Sequence, residues 1–129
     1  MATALKREVP QDLYIEALKQ VTDYLVRATP GMTAQRVRPD AERYLVSSLH
    51  KTFEFHEKYP PLLMSEGRLL SHPRIPERTK TILRESRENT NRQVVYNHRS
   101  MLIAFLTTSD EMSRELAGKL ADAIIDQKQ

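Results

Sequence analysis

His50, Glu54 and Glu57 stand at i, i+4 and i+7, a spacing that lays one imidazole and two carboxylates along a single helical face, as a hard divalent metal would need. The same spacing arises on any solvated helix whose opposite side carries Leu45, Leu49 and Phe53, and charge patterning favours that plainer reading. Carboxylate-bridged di-iron bundles use Glu-x-x-His on paired helices, and that string is absent from the chain. His56 and His72 fall near proline-bounded ends, and His98 is followed directly by Arg99. Each reads as a surface or boundary histidine before it reads as a general base. Asp110 and Glu111 are adjacent, so on a helix they point apart, and the helix dipole accounts for them.

The second group with chemical potential is basic. Between Arg68 and Arg99 the chain carries eight Arg or Lys residues against three acids, a local charge of +5 that exceeds the +3 of the whole protein. On a helix beginning at Pro76, Lys80, Arg84, Arg87 and Asn91 follow one another at i, i+4, i+7 and i+11, and Arg92 adjoins them. These five residues form the candidate binding face. Arginine outnumbers lysine seven to one in the segment, and the planar guanidinium fork suits carboxylate or phosphate better than a point charge does. Glu77 lies within reach of Lys80 and Thr81, and Glu88 lies four residues from both Arg84 and Arg92, so part of the stripe also reads as an ordinary salt-bridged face.

Two classes of partner fit such a stripe. A protein partner or a second copy is expected first, with Met64, Met101 and Met112 offering adaptable apolar surface. Nucleic acid is the alternative. Against it stand the absence of tryptophan and the positions of the aromatics (Tyr14, Tyr24, Tyr44, Phe53, Phe55, Tyr59, Tyr96, Phe105), which do not interleave with the arginines as a stacking platform would. A helix–turn–helix over Pro76 to Leu106 would have to turn at Asn89-Thr90-Asn91 without glycine.

Enzyme signatures do not appear. No Gly-x-Gly-x-x-Gly, Gly-x-x-x-x-Gly-Lys or Gly-x-Ser-x-Gly string occurs among the three glycines, and the lack of cysteine excludes disulfides, thiolate metal sites and thiol nucleophiles. No catalytic residue, metal ligand or cofactor is therefore assigned. The sequence leans away from catalysis, and an unrecognised enzyme or metal site around His50 and Glu54 ranks third after the two binding readings. The leading expectation is a non-enzymatic helical interaction protein, an assembly, adaptor or regulatory subunit, that docks through the Arg-rich face and an apolar patch.

The elements that must position these residues are helices separated by prolines. Tyr14, Leu18, Val21, Leu25 and Ala28 repeat at three and four from Asp12 onward, which predicts a helix closed by Thr29-Pro30-Gly31. A second helix should open with Pro39 in its first turn, run to about Lys58 with Leu45, Val46, Leu49 and Phe53 inward, and stop at Pro60-Pro61. Between Leu62 and Pro73, Leu62, Leu63, Met64, Leu69 and Leu70 are apolar enough to be buried, yet Gly67 leaves room only for a short helix or packed loop. Pro76 should start a third helix reaching Asn89. Thr90-Asn91-Arg92-Gln93 then reads as a capping box for a fourth, the most buried of the set, with Val94, Val95, Met101, Leu102, Phe105 and Leu106 on a wide arc. Thr108-Ser109-Asp110-Glu111 reads as the box of a last helix, Ser109 to about Asp126, burying Met112, Leu116, Ala117, Leu120, Ala121 and Ile124.

The expected fold is all-α, a single-domain bundle of four main helices plus one short helix over residues 1–129, with 1–10 and 127–129 flexible. A chain of 129 residues is one domain's worth. Lys6 and Arg7 are followed by no apolar leader core, and no apolar run approaches a membrane span. The expected setting is intracellular and cytoplasmic, away from membranes.

Overall fold

A computed structural model describes residues 9–65, 67, 71–108 and 111–126. Those residues form four α-helices and no strand: α1 Gln11–Ala28, α2 Ala34–Lys58, α3 Glu77–Leu106 and α4 Arg114–Asp126. The all-α reading is correct; the stretch 62–73, where a short helix or packed loop was expected, lies partly outside the described residues, with Ser71 in a 3₁₀ turn.

The helix starts show which local signals prevailed. Helix α1 is entered through Pro10, whose carbonyl accepts from the Tyr14 N–H at 3.0 Å. Val9 and Tyr14, one residue before the cap and four after it, belong to the same buried cluster, the arrangement of a hydrophobic staple. Val9 is thus buried, although the first ten residues read as flexible; residues 1–8 and 127–129 lie outside the described residues. Helix α2 starts five residues earlier than its proline suggests. Thr33 is the cap, its hydroxyl accepting from the Arg36 N–H at 3.3 Å, and Pro39 sits inside the helix. The side-chain cap outranks the proline because it satisfies an amide that would otherwise be orphaned, whereas Pro39 removes only one bond from the second turn.

The expected third and fourth helices are one helix of 30 residues. Neither glycine nor proline occurs between Pro76 and Gly118, so nothing interrupts the turn at Thr90. A capping box starts a helix only where the chain arrives from a non-helical path. Helix α3 ends where Thr107 turns its hydroxyl onto the Ile103 carbonyl at 2.8 Å, and Thr108 does the same to Phe105 at 3.3 Å. Helix α4 then begins at Arg114, not Ser109. Its cap is Ser113, whose Oγ accepts from the Leu116 N–H at 3.1 Å. Ser109 and Asp110, half of the expected box, lie outside the described residues.

The chain divides into two compact units: one comprises the described residues up to Tyr59 together with those from Arg99 onward, and the other is Pro60–His98. Helix α3 runs through the division. The first unit holds the hydrophobic core. Tyr14, Ala17, Leu18 and Val21 from α1 meet Ala41, Leu45, Leu49 and Phe53 from α2, Leu102, Ile103 and Leu106 from the end of α3, and Leu116, Ala117, Leu120, Ala121 and Ile124 from α4. Leu25 and Val46 pack at its edge, whereas Ala28 is exposed. The buried threonine and serine hydroxyls of α1 and α2 bond along their own helices or to a neighbour. Thr22 and Thr52 donate to Leu18 and Ser48 carbonyls at 2.7 Å, and Ser48 donates to the Phe105 carbonyl at 3.3 Å.

The second unit is built differently. Pro60 to Pro76 contains no α-helix among its described residues, and the unit's helical part is the first 22 residues of α3. Among the described residues it buries no apolar side chain; His98 alone reaches the buried class, at 7% exposure. The expectation that the Val94–Leu106 arc forms the most buried helix therefore holds only at its end. Leu102 and Leu106 are fully buried, Val94 and Val95 are half-buried, and Met101 and Phe105 are exposed.

Candidate interaction surface

The polar groups that could hold a metal or act on a substrate are dispersed. His50 Nε2 is 3.9 Å from Glu54 Oε2, with both side chains roughly two-thirds open to solvent, and Glu57 is exposed one turn on. This is a solvated helix face. His72 is exposed and accepts the Arg74 N–H on its Nδ1 at 3.2 Å, which closes a local turn. Among the described residues no group of three His, Asp or Glu side chains converges on a metal-sized site, and no helix is long and apolar enough to cross a membrane.

The basic stripe falls on the half-buried side of α3. Lys80, Leu83, Arg84, Arg87, Asn91, Val94 and Val95 recur every three or four residues as the partly covered positions of the second unit, while Arg92 is exposed. Lys80 has only 14% of its side chain open and pairs with Glu77 at 3.4 Å. The Nε of Arg87 is buried and meets no hydrogen-bond acceptor among the described residues. Asn91 is committed to the chain itself: its Oδ1 accepts the Met64 N–H at 2.7 Å, and its Nδ2 donates to the Met64 carbonyl at 3.1 Å. Arg92 donates to Asn89 Oδ1 one turn back. Of the five residues read as a binding face, four lie on the half-buried side of α3 and Arg92 is exposed.

The Asn91 amide holds an irregular segment whose apolar side chains are exposed. Two successive prolines, Pro60 and Pro61, hold the chain extended ahead of it. Leu62, Leu63 and Met64 are 83%, 55% and 54% exposed, contrary to the burial their apolarity suggested. Leu69 and Leu70, expected to be buried with them, lie outside the described residues. On α3 itself Ile82 and Tyr96 are 59% and 62% exposed. Leu63, Val95 and Tyr96 share an open groove of about 880 Å³ with Glu88, Asn89 and Arg92.

The exposure of Leu62, Ile82 and Tyr96 does not follow from their apolarity, which by itself reads as core. The usable signal was the helix pattern: neither Ile82 nor Tyr96 is in phase with the basic stripe, since each lies near the opposite side of a 3.6-residue turn from Lys80, Arg87 and Asn91. No family model, curated protein or solved structure matches the chain.

Proposed function

We propose that the protein is a non-catalytic helical interaction protein whose second unit, Pro60–His98, is its docking element. One observation carries this reading: five large apolar side chains, Leu62, Leu63, Met64, Ile82 and Tyr96, are more than half exposed in a unit that buries no apolar side chain among its described residues. Exposed apolar surface on that scale marks contact sites, and the part of α3 inside this unit, which buries no apolar side chain among its described residues, would gain stability by burying its exposed ones against a partner. The first unit supplies a conventional core as anchor. Arg92, Glu88 and Asn89 give the groove a polar rim around Leu63, Val95 and Tyr96, the anatomy of a protein contact with an apolar centre. In this reading Asn91 holds the Leu62–Met64 segment, Lys80, Arg84 and Arg87 lie on the partly covered side of α3 away from the docking face, and Arg92 reaches the partner.

The test compares two pairs of substitutions on tagged protein recovered from its own cells at physiological salt. Leu63→Glu with Tyr96→Glu should abolish a stoichiometric protein complex that Arg84→Ala with Arg87→Ala leaves in place. Retention of nucleic acid by the wild type, lost with the two arginines and unaffected by the two glutamates, would overturn the reading in favour of a nucleic-acid-binding regulator. Such a complex would also weaken log-linearly with salt.

A further inference from the structure

The outward side of α3 carries a pattern with internal symmetry. Ile82, Glu85, Asn89, Arg92 and Tyr96 are all exposed, and at 100° per residue they fall within an arc of about 80°. Taken from Asn89 outward, the stripe is apolar at both ends, since Ile82 and Tyr96 each lie seven residues away. Between them the charge is opposite on the two sides: Glu85 four residues before, Arg92 three residues after. At 1.5 Å per residue Glu85 is about 6 Å and Arg92 about 4.5 Å from Asn89 along the axis.

Resting on the interaction reading above, we propose that one partner of this surface is a second copy of the same chain, with the two α3 helices antiparallel and related by a two-fold axis at Asn89. An antiparallel two-fold sets Ile82 beside Tyr96 of the second copy and Glu85 beside Arg92 of the second copy, twice over, as an isologous contact requires. The mismatch of about 1.5 Å between the two charged arms is within the reach of an arginine side chain. A parallel pairing would set Glu85 against Glu85 and Arg92 against Arg92, so the charges select the antiparallel arrangement.

Two local features prepare the stripe for this contact. Glu85 makes no hydrogen bond or ion pair among the described residues, so its carboxylate is free for a partner. Arg92 is drawn back along the helix toward Asn89, the point through which the axis passes. Leu63 lies beside Tyr96 in the same groove and widens the apolar footprint at each end of the dimer.

The symmetry gives a test that no single-chain role can imitate. In Glu85→Arg both contacts of the dimer become Arg–Arg, and in Arg92→Glu both become Glu–Glu. An equimolar mixture of the two variants, however, forms a heterodimer in which both contacts are again Arg–Glu. Sedimentation equilibrium at low salt should show a reversible wild-type dimer, at least a tenfold weaker dimer for either variant alone, and wild-type affinity for the mixture. Far-ultraviolet circular dichroism, expected to be unchanged because both positions are exposed, checks that each variant is folded. A wild type that stays monomeric throughout overturns the dimer; if Leu63→Glu with Tyr96→Glu still releases some other protein, the interaction reading survives it, and if nothing is bound at all, both fall. A wild-type dimer that the mixture fails to restore overturns the antiparallel two-fold and leaves the interaction reading standing.

Discussion

Asn91 holds Met64 by both of its backbone hydrogen-bonding groups, accepting the N–H at 2.7 Å and donating to the carbonyl at 3.1 Å. A side-chain amide has one donor edge and one acceptor edge at the spacing of a peptide group, so it pairs with the segment much as a neighbouring strand would. The pairing links residues 27 apart in sequence, in a stretch with no regular structure of its own to keep its path. Asn91→Ala should therefore free the Leu62–Met64 segment while costing global stability on the order of 1 kcal/mol or less, since the bonds are solvent-exposed. Chymotryptic cleavage after Leu62 or Leu63 should accelerate several-fold with the thermal midpoint barely moved. An unchanged cleavage rate would show that something other than Asn91 fixes the segment.

Arg87 makes the second case. Its Nε is buried with no acceptor among the described residues, and a buried donor left unpaired costs about 1–3 kcal/mol. Replacing it by an apolar side chain of similar length removes the penalty and keeps the packing of the stem. Arg87→Met should leave the midpoint of thermal unfolding unchanged or raise it. A drop of several degrees would mean that the guanidinium is paired within the folded chain.

In the first unit Gly118 lies in the interior of α4 and faces Arg99. A Cβ added there would meet Arg99 Nη2 at 2.6 Å, while Arg99 Nε and Nη2 reach the two carboxylate oxygens of Asp122 at 2.6 and 3.3 Å. The crowded atom is the end of a flexible, half-exposed side chain, so it can move aside. An alanine in the helix interior is worth about 1 kcal/mol over glycine, more than an exposed ion pair of about 0–1 kcal/mol usually contributes. Gly118→Ala should hold or raise stability in urea unfolding, and Asp122→Ala should change it little. A loss above about 1 kcal/mol for Gly118→Ala would contradict this ordering.

Alkaline pH probes Tyr44. Burial, then the hydrogen bond to the Glu111 carboxylate and its charge, push the Tyr44 phenol well above its ordinary value of 10.0. Burial, with Glu42 nearby, moves Tyr14 in the same direction. A folded-state value raised above the unfolded one means that the folded protein holds the proton more tightly, so the stabilisation is complete below about pH 10 and declines as pH rises beyond it. Tyr44→Phe should flatten part of that alkaline decline in denaturant titrations without changing the slope near neutrality. An identical alkaline decline in the variant would remove Tyr44 as its source.

Much of the first unit was legible in the sequence because its residues obey local rules that agree with one another. Tyr14, Leu18 and Val21, then Leu45, Leu49 and Phe53, then Leu116, Leu120 and Ile124, recur at helical spacing and all are buried. Errors entered where two local signals competed. Pro39 and Thr33 both mark a helix start, and Thr33 prevailed because it satisfies an amide. Thr90 has the form of a cap, but no breaker precedes it. The second unit was misjudged for another reason. Apolarity at Leu62–Met64 implied burial, yet burial depends on what lies opposite, and the residues of α3 in phase with its covered side are Lys80, Arg84, Arg87 and Asn91. The charge excess marks this part of the chain as unlike its flanks. A helical wheel gives relative angles without saying which side is covered, so the sequence alone does not separate the half-buried Lys80, Arg84, Arg87 and Asn91 from the exposed Arg92.

Whether the exposed face of the second unit is a docking surface can be measured directly by hydroxyl-radical footprinting, to which Leu, Met and Tyr side chains respond. The protein is labelled in its own native extract and, separately, as purified chain at submicromolar concentration. Leu62, Leu63, Met64, Ile82 and Tyr96 should be labelled several-fold less in the extract, with exposed first-unit residues such as Ile15 and Met32 unchanged. Equal labelling of the five side chains in both states would contradict the proposal that this surface is covered by a partner.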